Sequence, residues 1–159
     1  MAVPIGGRPA NARDRSRQHH EETSVSVRYS NPPGLAAPIG MYSHIARLPR
    51  DHDLVFVAGQ LSVDANGGSV GVGDFDTQMH QVFANVGAVL EAESLSFDNI
   101  AQMTTYLRGE ELIAEFYRVR EGLFAELFPA GAYPPNTLLV VSRLVRPEFL
   151  IEVQCIAGG

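Results

Sequence analysis

Few side chains in this sequence have the type and spacing for chemistry, and Glu152 is the first candidate. It lies between Ile151 and Val153 and so alternates with apolar residues. That alternation is typical of an outward-facing residue on a half-buried strand. A carboxylate held near a reacting atom can also activate water or carry a proton. The spacing by itself favours the structural role.

Cysteine and histidine give weaker signals. Cys155 would be a nucleophile only with a neighbouring base and a lowered pKa, and in an apolar strand it is typical of a small hydrophobic residue. The adjacent His19 and His20 resemble a metal site, but no cysteine or further histidine follows at ligand spacing. We therefore expect no bound metal.

All twelve basic residues are arginine, and the sequence contains no lysine. This excludes Schiff-base catalysis and the lysine of a phosphate-binding P-loop. The glycines at Gly71 and Gly73 fit neither nucleotide-binding pattern, so no cofactor is expected. Four arginines lie before residue 18 of a chain with net charge −6, so the rest is clearly acidic and nucleic acid is not an expected partner.

Length and composition fit one globular domain. The chain has 159 residues, 45% of them hydrophobic and 19% charged, which suffices for one substantial core. Residues 1–24 show no hydrophobic period and are expected to form a flexible extension of a single domain at 25–159. The apolar runs are shorter than the ~20 residues of a membrane helix, and the start lacks a signal-peptide core. We expect a soluble, cytoplasmic protein with no membrane partner.

Two helices and five strands would position the candidate residues. Apolar residues recur at every third or fourth position over 74–90 and 110–128, which predicts two amphipathic helices. Gly59 interrupts the second strand and indicates a β-bulge. Residues 145–148 have hairpin spacing, so the last two strands are expected to pair. The predicted strands are 42–48, 54–63, 99–107, 137–144 and 149–156.

This element order, ββαβαββ, predicts an α+β fold in which a mixed sheet carries two helices on one face. Leu138 to Val141 are consecutive apolar residues, so both faces of their strand are hydrophobic. Because two helices cover only one face, the other face needs a partner. The pattern therefore predicts self-association.

Several short motifs follow one another from about Tyr29 to Ala157 and cover nearly all of the chain except its head. They are NPPG, IG-x-Y, VAGQ, DFDTQ followed by Asn85, PPNT and IEVQCIA. Taken in this order, the motifs resemble the YjgF/RidA family. The resemblance implies a chorismate-mutase-like fold and a homotrimer with small-molecule clefts between neighbouring subunits.

The resemblance also suggests where a ligand would bind. Family members that hydrolyse imines and enamines hold the substrate carboxylate with an arginine in a Pro-Ala-Arg-Thr-like segment, and Asn136 stands at that position here. Asparagine supplies no charge, and hydrogen bonds to charged groups are worth ~1.5 to 3 kcal/mol. The resemblance implies Glu152 as the catalytic residue and, as substrate-binding residues, Tyr42, Ala58, Gly59, Glu121, Phe124, Asn136 and Thr137.

Of these positions, Tyr42 and Glu152 match the family's cleft residues, whereas Ala58, Glu121 and Phe124 depart from its serine, asparagine and tyrosine. If Glu121 and Glu152 share the cleft, its potential is negative and it should prefer neutral or cationic ligands. The rival interpretation is that Glu121 points to solvent or pairs with a neighbouring arginine.

Two functions are consistent with these residues. The first is a divergent enamine/imine deaminase, a hydrolase that releases ammonia from reactive imines, acting on a substrate other than small 2-imino acids. The second is a catalytically silent trimeric protein that binds or senses a small ligand. Fold alone does not separate them, because function resides in the site.

Overall fold

A computed structural model describes residues 27–159, which contain six strands and two α-helices. The predictions for residues 1–24, including His19 and His20, lie outside the described residues. Short 3-10 turns at Phe97–Asn99 and Glu110–Leu112 precede the fourth strand and the second helix. The elements are β1 (Arg28–Ser30), β2 (Ile45–Arg47), β3 (Leu54–Gln60), α1 (Phe75–Ala92), β4 (Ile100–Arg108), α2 (Ile113–Leu127), β5 (Asn136–Val141) and β6 (Ile151–Gly158).

Four strands form the main sheet in the order β3-β6-β4-β5. β6 is antiparallel to both of its neighbours, whereas β4 and β5 are parallel. The predicted α+β fold, a mixed sheet with two helices, is confirmed. β1 and β2 pair with each other in a separate two-stranded sheet, and β1 is a strand that the sequence pattern did not indicate.

The predicted hairpin between the last two strands is wrong, because β4 lies between β5 and β6. β5 ends at Val141 and β6 begins at Ile151, so the connection is much longer than a tight turn. Leu144 and Phe149 within this connection are buried. Their burial holds the segment against the protein as it passes the end of β4.

The two helices bury their apolar faces on one side of the sheet. Alternate residues of β6 (Ile151, Val153 and Cys155) are buried on that side, whereas Glu152 and Gln154 between them are not. Each large apolar side chain that folding buries contributes roughly 1.5–3 kcal/mol. The buried residues of α1 are Phe75, Gln78, Met79, Val82, Phe83, Val86 and Leu90, and those of α2 are Phe116, Val119, Arg120, Leu123 and Phe124.

The start of α1 is fixed by two polar side chains. Asp74 is the N-cap and accepts a hydrogen bond from the backbone N–H of Thr77 at 3.2 Å. Gln78, fully buried one turn later, donates to the carbonyl of Glu148 at 2.8 Å and accepts from the N–H of Leu150 at 2.8 Å. Gln78 thereby ties the helix to the segment that leads into β6.

No helix of residues 27–159 lies over the other side of the sheet. Phe56 of β3 is 72% exposed there and pairs in register with Ile156 of β6. The register between β3 and β6 shifts between Val57 and Gln60, which confirms the predicted bulge around Gly59. No helix in residues 27–159 is both long enough and apolar enough to cross a membrane.

Candidate functional site

Three of the predicted substrate-binding residues, Tyr42, Asn136 and Thr137, meet at one cavity of about 330 Å³. The cavity lies where the segment before β2, the middle of α2 and the start of β5 come together. Its other lining residues are Ile39, Gly40, Tyr117, Arg120 and Leu138.

Asn136 is placed by the parallel pairing of β4 and β5. It is the first residue of β5 and lies opposite Met103 of β4, whose N–H donates to the carbonyl of Pro135 at 2.8 Å. The Asn136 Oδ1 accepts a hydrogen bond from the buried Thr105 hydroxyl at 3.2 Å. Since Met103 and Thr105 are both fully buried, this part of the cavity belongs to the helix side of the sheet.

Tyr42 is positioned by a folded-back segment before β2. Its N–H donates to the carbonyl of Gly40 at 3.0 Å, and its ring packs edge-on against His44 at 5.7 Å between centroids. His44 is held in turn, because its N–H donates to the side chain of Asn31 and its ring nitrogen lies 3.0 Å from the carbonyl of Ala36. These contacts present the half-buried Tyr42 to the cavity.

Arg120 of α2 lines the same cavity, although the sequence analysis did not propose it as a binding residue. It is only 7% exposed, and its guanidinium carbon lies 4.6 Å from the centre of the Tyr117 ring. Burial lowers the pKa of Arg120, an effect partly opposed by Tyr117 and Tyr133. A guanidinium is nevertheless charged at any physiological pH.

A signal for Arg120 is present in the sequence. Phe116, Val119, Leu123 and Phe124 form the buried stripe of α2, and Arg120 falls inside it, four residues after Phe116. A charged residue at a stripe position is uncommon, since arginine is almost never fully buried unless it is paired. A buried arginine in the apolar stripe therefore indicates a residue that binds a ligand or a partner group. The family motif at residue 136 gives no sign of it.

Glu152 lies on the opposite side of the sheet from this cavity within one chain. Its neighbours Ile151 and Val153 face the core, so its own side chain projects from the face without helices. Burial raises the pKa of this half-buried carboxyl. A Cβ built on Gly59 would overlap the Glu152 Oε1, so the glycine in the bulge leaves the space that the carboxylate occupies.

Glu152 also contributes to a shallow cavity of about 280 Å³ on this face, which it shares with Tyr106 and Arg143. Ala58, close to Gly59 in the bulge, lines a larger groove of about 380 Å³ together with Phe56 and Gln102. The structure thus divides the predicted site residues into two sets. Glu152, Ala58 and Gly59 lie on the open face, whereas Tyr42 and Asn136 lie on the helix side. Thr137 pairs with Thr104 of the open face and alternates with Asn136, so it borders the helix-side cavity at the edge strand.

The remaining two predicted binding residues, Phe124 and Glu121, belong to neither of these two sets. Phe124 is fully buried and packs against Phe83, Phe128 and Tyr133. Glu121 is exposed on α2 and is not among the residues that line the cavity with Arg120. Among the described residues, no group of three or more His, Cys, Asp or Glu side chains is placed to hold a metal ion.

Comparison with known proteins identifies the family. Residues 34–158 match the family described as endoribonuclease L-PSP. A RutC family protein of Pyrococcus horikoshii is 33% identical over 120 residues, which cover 76% of this chain and 88% of that protein. Reactive Intermediate Deaminase A, chloroplastic, of Arabidopsis thaliana is 28% identical over 121 residues, which cover 76% of this chain and 60% of that protein.

A solved structure shows the same architecture. YyfB of Yersinia pestis, described as a Rid family protein of unknown function, superimposes with a TM-score of 0.73 at 28% identity, covering 83% of this chain and 98% of that chain. The resemblance inferred from the ordered motifs is thereby confirmed. The chain belongs to the endoribonuclease L-PSP family, which is the YjgF/RidA family.

Proposed function

We propose that this protein is a divergent enamine/imine deaminase, which hydrolyses a reactive imine to a carbonyl compound and ammonia. The observation that carries the proposal is Glu152, a half-buried carboxyl whose pKa is raised by burial and which the bulge at Gly59 accommodates. A raised pKa suits a group that must both take and return a proton near neutral pH. The name of the Arabidopsis relative supports the same reaction class.

In this reaction Glu152 acts as a proton carrier. As the oxygen of a water molecule adds to the carbon of the protonated imine, the Glu152 carboxylate takes a proton from that water, which leaves a neutral carbinolamine. The resulting carboxylic acid then protonates the carbinolamine nitrogen. The C–N bond breaks, the carbonyl forms, and the departing ammonia takes the hydroxyl proton and leaves as ammonium. The carboxylate is regenerated, so the step needs no cofactor.

The site residues of the open face and those of the helix side can form one cleft only if two subunits meet. Within one chain, Glu152 and the Tyr42–Asn136 cavity face opposite sides of the sheet. We propose that a homotrimer joins the open face of one subunit to the helix-side cavity of its neighbour. The family resemblance and the exposed apolar residues of the open face, Phe56 above all, support this assembly.

The substrate we propose is not a small 2-imino acid. Asn136 offers a neutral amide, and its oxygen is already bonded to Thr105. A carboxylate directly next to the imine carbon would therefore find no cation on β5. We expect slow turnover of imines from small amino acids, and faster turnover of an imine whose polar group lies elsewhere.

Ammonia release tests this proposal directly. Imines generated in place from several amino acids, both free and amide-capped, would be offered to the wild-type protein and to Glu152→Gln. We expect the variant to lose roughly 10²-fold or more in turnover, which is the usual contribution of a general acid–base group. Glu126→Gln, at an exposed position of α2, serves as the control and should retain full activity. Equal turnover by wild type and Glu152→Gln would refute the role of Glu152.

The second candidate is a silent trimeric protein that binds or senses a small ligand. It is favoured by Phe124, which lacks the hydroxyl of the family's tyrosine and lies fully inside the core. This candidate predicts saturable ligand binding with no ammonia release from any imine tested. The same assay, combined with a binding measurement, therefore separates the two functions.

Nucleic acid stays outside the proposal despite the family's description as an endoribonuclease. Residues 27–159 contain eight arginines and fifteen aspartate or glutamate residues. Binding to a phosphate backbone depends on clustered cationic side chains. This charge balance supports a small-molecule ligand instead.

A further inference from the structure

Arg120 is a buried cation without a counter-ion among the described residues. It is only 7% exposed, makes no salt bridge within residues 27–159, and has an Nε that is closed from solvent and lacks a hydrogen-bond partner. Buried charges are almost always paired, because an uncompensated one is expensive. The fold therefore holds a charge that none of its described side chains neutralises.

Aromatic rings hold the guanidinium but leave its donors free. The guanidinium carbon lies 4.6 Å from the ring centre of Tyr117, 5.2 Å from that of Phe116 and 5.8 Å from that of Phe124. Such contacts attract the charge through the ring faces and fix its orientation. They do not satisfy the N–H groups, which lie in the guanidinium plane.

Gly40 gives those donors room at the edge of the cavity. A Cβ built on Gly40 would lie 2.8 Å from Nη2 of Arg120, closer than a side chain normally comes. Because Nε is enclosed, the two Nη nitrogens are the donors that a ligand can reach. Two parallel N–H donors match the geometry of a carboxylate.

The rest of the cavity combines apolar walls with a few polar groups. Ile39, Leu138, Tyr42 and Tyr117 line it beside Asn136 and Thr137. Its volume of about 330 Å³ is in the range of small-molecule sites. An anion seated on Arg120 would thus have an apolar group packed next to it.

We propose that Arg120 is the anion-binding residue of this cavity and that the ligand is a carboxylate carrying an apolar or aromatic group. The inference rests on the proposed function for the location of the cleft, but it does not depend on any chemical step there. It replaces the expectation of a cleft that prefers neutral or cationic ligands. The carboxylate is held from the helix and not from β5, which is consistent with a substrate other than a small 2-imino acid.

Calorimetric titration with benzoate, benzamide and benzylamine tests the charge preference, since the three probes share one ring. We expect wild type to bind benzoate more tightly than either of the other probes. Arg120→Gln and Arg120→Met keep much of the side chain and should weaken benzoate binding at least about tenfold. Arg118→Gln is the matched control, because Arg118 is exposed on the same helix and already paired with Asp76 and Glu115.

Gly40→Ala offers a second variant that leaves the core of α2 unchanged. The added methyl group should displace Nη2 and weaken benzoate binding while leaving the melting temperature close to that of wild type. This variant keeps the proposal testable should the Arg120 variants fail to fold.

Three results would overturn the proposal: no saturable benzoate binding at millimolar concentration, equal affinity for benzoate and benzamide, or unchanged benzoate affinity in folded Arg120 or Gly40 variants. Benzoate binding without ammonia release from any imine would instead refute the deaminase proposal and leave Arg120 as the anion-binding residue. The two proposals can therefore fail separately.

Discussion

Gly59 and Glu152 form a pair in which the missing side chain of one makes room for the charged group of the other. A methyl group on Gly59 would overlap the Glu152 carboxylate, which lies at the end of a flexible side chain and can swing away. We therefore expect Gly59→Ala to change the free energy of unfolding by less than about 1 kcal/mol, because a side-chain rotation relieves the overlap. Ammonia release should fall about 10- to 100-fold, since a small misplacement of a catalytic group is costly.

Gly122→Ala is the control for this substitution. Gly122 lies in α2, and a Cβ there would meet no atom within 4 Å. Alanine is the better helix former, so the variant should gain roughly 0.5–1 kcal/mol in urea unfolding. Its turnover should equal that of wild type. Full activity in Gly59→Ala would contradict the role assigned to the glycine.

The raised pKa of Glu152 predicts a pH-dependent difference in stability between wild type and Glu152→Gln. The folded protein binds the Glu152 proton more tightly than the unfolded chain does, because burial disfavours the carboxylate. This contribution to stability is complete below the unfolded pKa of about 4.3 and is lost as pH rises through the folded pKa. Glutamine does not ionise, so Glu152→Gln does not lose stability in this way as the pH rises.

Urea unfolding at a series of pH values measures this difference. Glu152→Gln should be the more stable protein near pH 7. Its advantage should shrink as the pH falls through the folded pKa of Glu152 and should be smallest below the unfolded pKa of about 4.3. Other carboxylates, such as Glu148 with its lowered pKa, also make stability depend on pH. Their contributions cancel in the difference, because wild type and Glu152→Gln both contain them. A constant difference at all pH values would show that Glu152 is not destabilised by burial.

At the scale of elements, Gln78 links three parts of the fold through one side chain. Its amide donates to the carbonyls of Gly71 and Glu148, and its oxygen accepts from the N–H of Leu150 at 2.8 Å. Gln78→Leu would leave these backbone groups without partners, at roughly 1–3 kcal/mol for each buried group. We expect a total loss of about 3 kcal/mol in urea unfolding.

Gln81→Leu is the comparison, because Gln81 is half-buried and bonds to the side chain of Asn85. The Gln81→Leu variant should lose less than about 1 kcal/mol in the free energy of unfolding. A Gln78→Leu variant as stable as Gln81→Leu would mean that water or a local rearrangement replaces the bonds of Gln78.

Sequence periodicity located the elements better than it located their neighbours. The stripes of both helices and the alternation around Glu152 were predictable, because each reflects one element facing one core. The strand that pairs with β5 was not predictable, since a strand's apolar pattern says which faces are buried but not which strand lies beside it. The apolar residues Leu144 and Phe149 are buried and indicate a long, packed connection between β5 and β6. The turn-like Arg146-Pro147 between them suggested a tight hairpin instead.

The site was predictable to a similar degree. The motif order led to Tyr42, Asn136 and Thr137, which do share a cavity. The charge of that cavity was not predictable from residue 136, because Arg120 reaches it from a different element. Position-by-position comparison detects a missing group but not one that another element supplies.

The open face of the sheet is the surface through which we expect the protein to assemble. Phe56 is 72% exposed and Leu54 53% exposed on β3, and Leu139 is 43% exposed on β5. Exposed apolar residues on a sheet face mark an interaction surface. The homotrimer predicted from the sequence would cover them and would bring Glu152 of one subunit towards the cavity of its neighbour.

Analytical ultracentrifugation of wild type, Phe56→Glu and Val72→Glu tests this assembly. We expect wild type to sediment as a trimer at micromolar concentration and Phe56→Glu as a monomer, since burying an unpaired charge in an interface costs several kcal/mol. The circular dichroism of Phe56→Glu should match wild type, because Phe56 is exposed in the single chain. Val72→Glu changes an exposed apolar residue outside the strands and should stay trimeric. Wild type that sediments as a monomer would contradict the trimer, and with it the proposal that Glu152 and Arg120 act in one cleft.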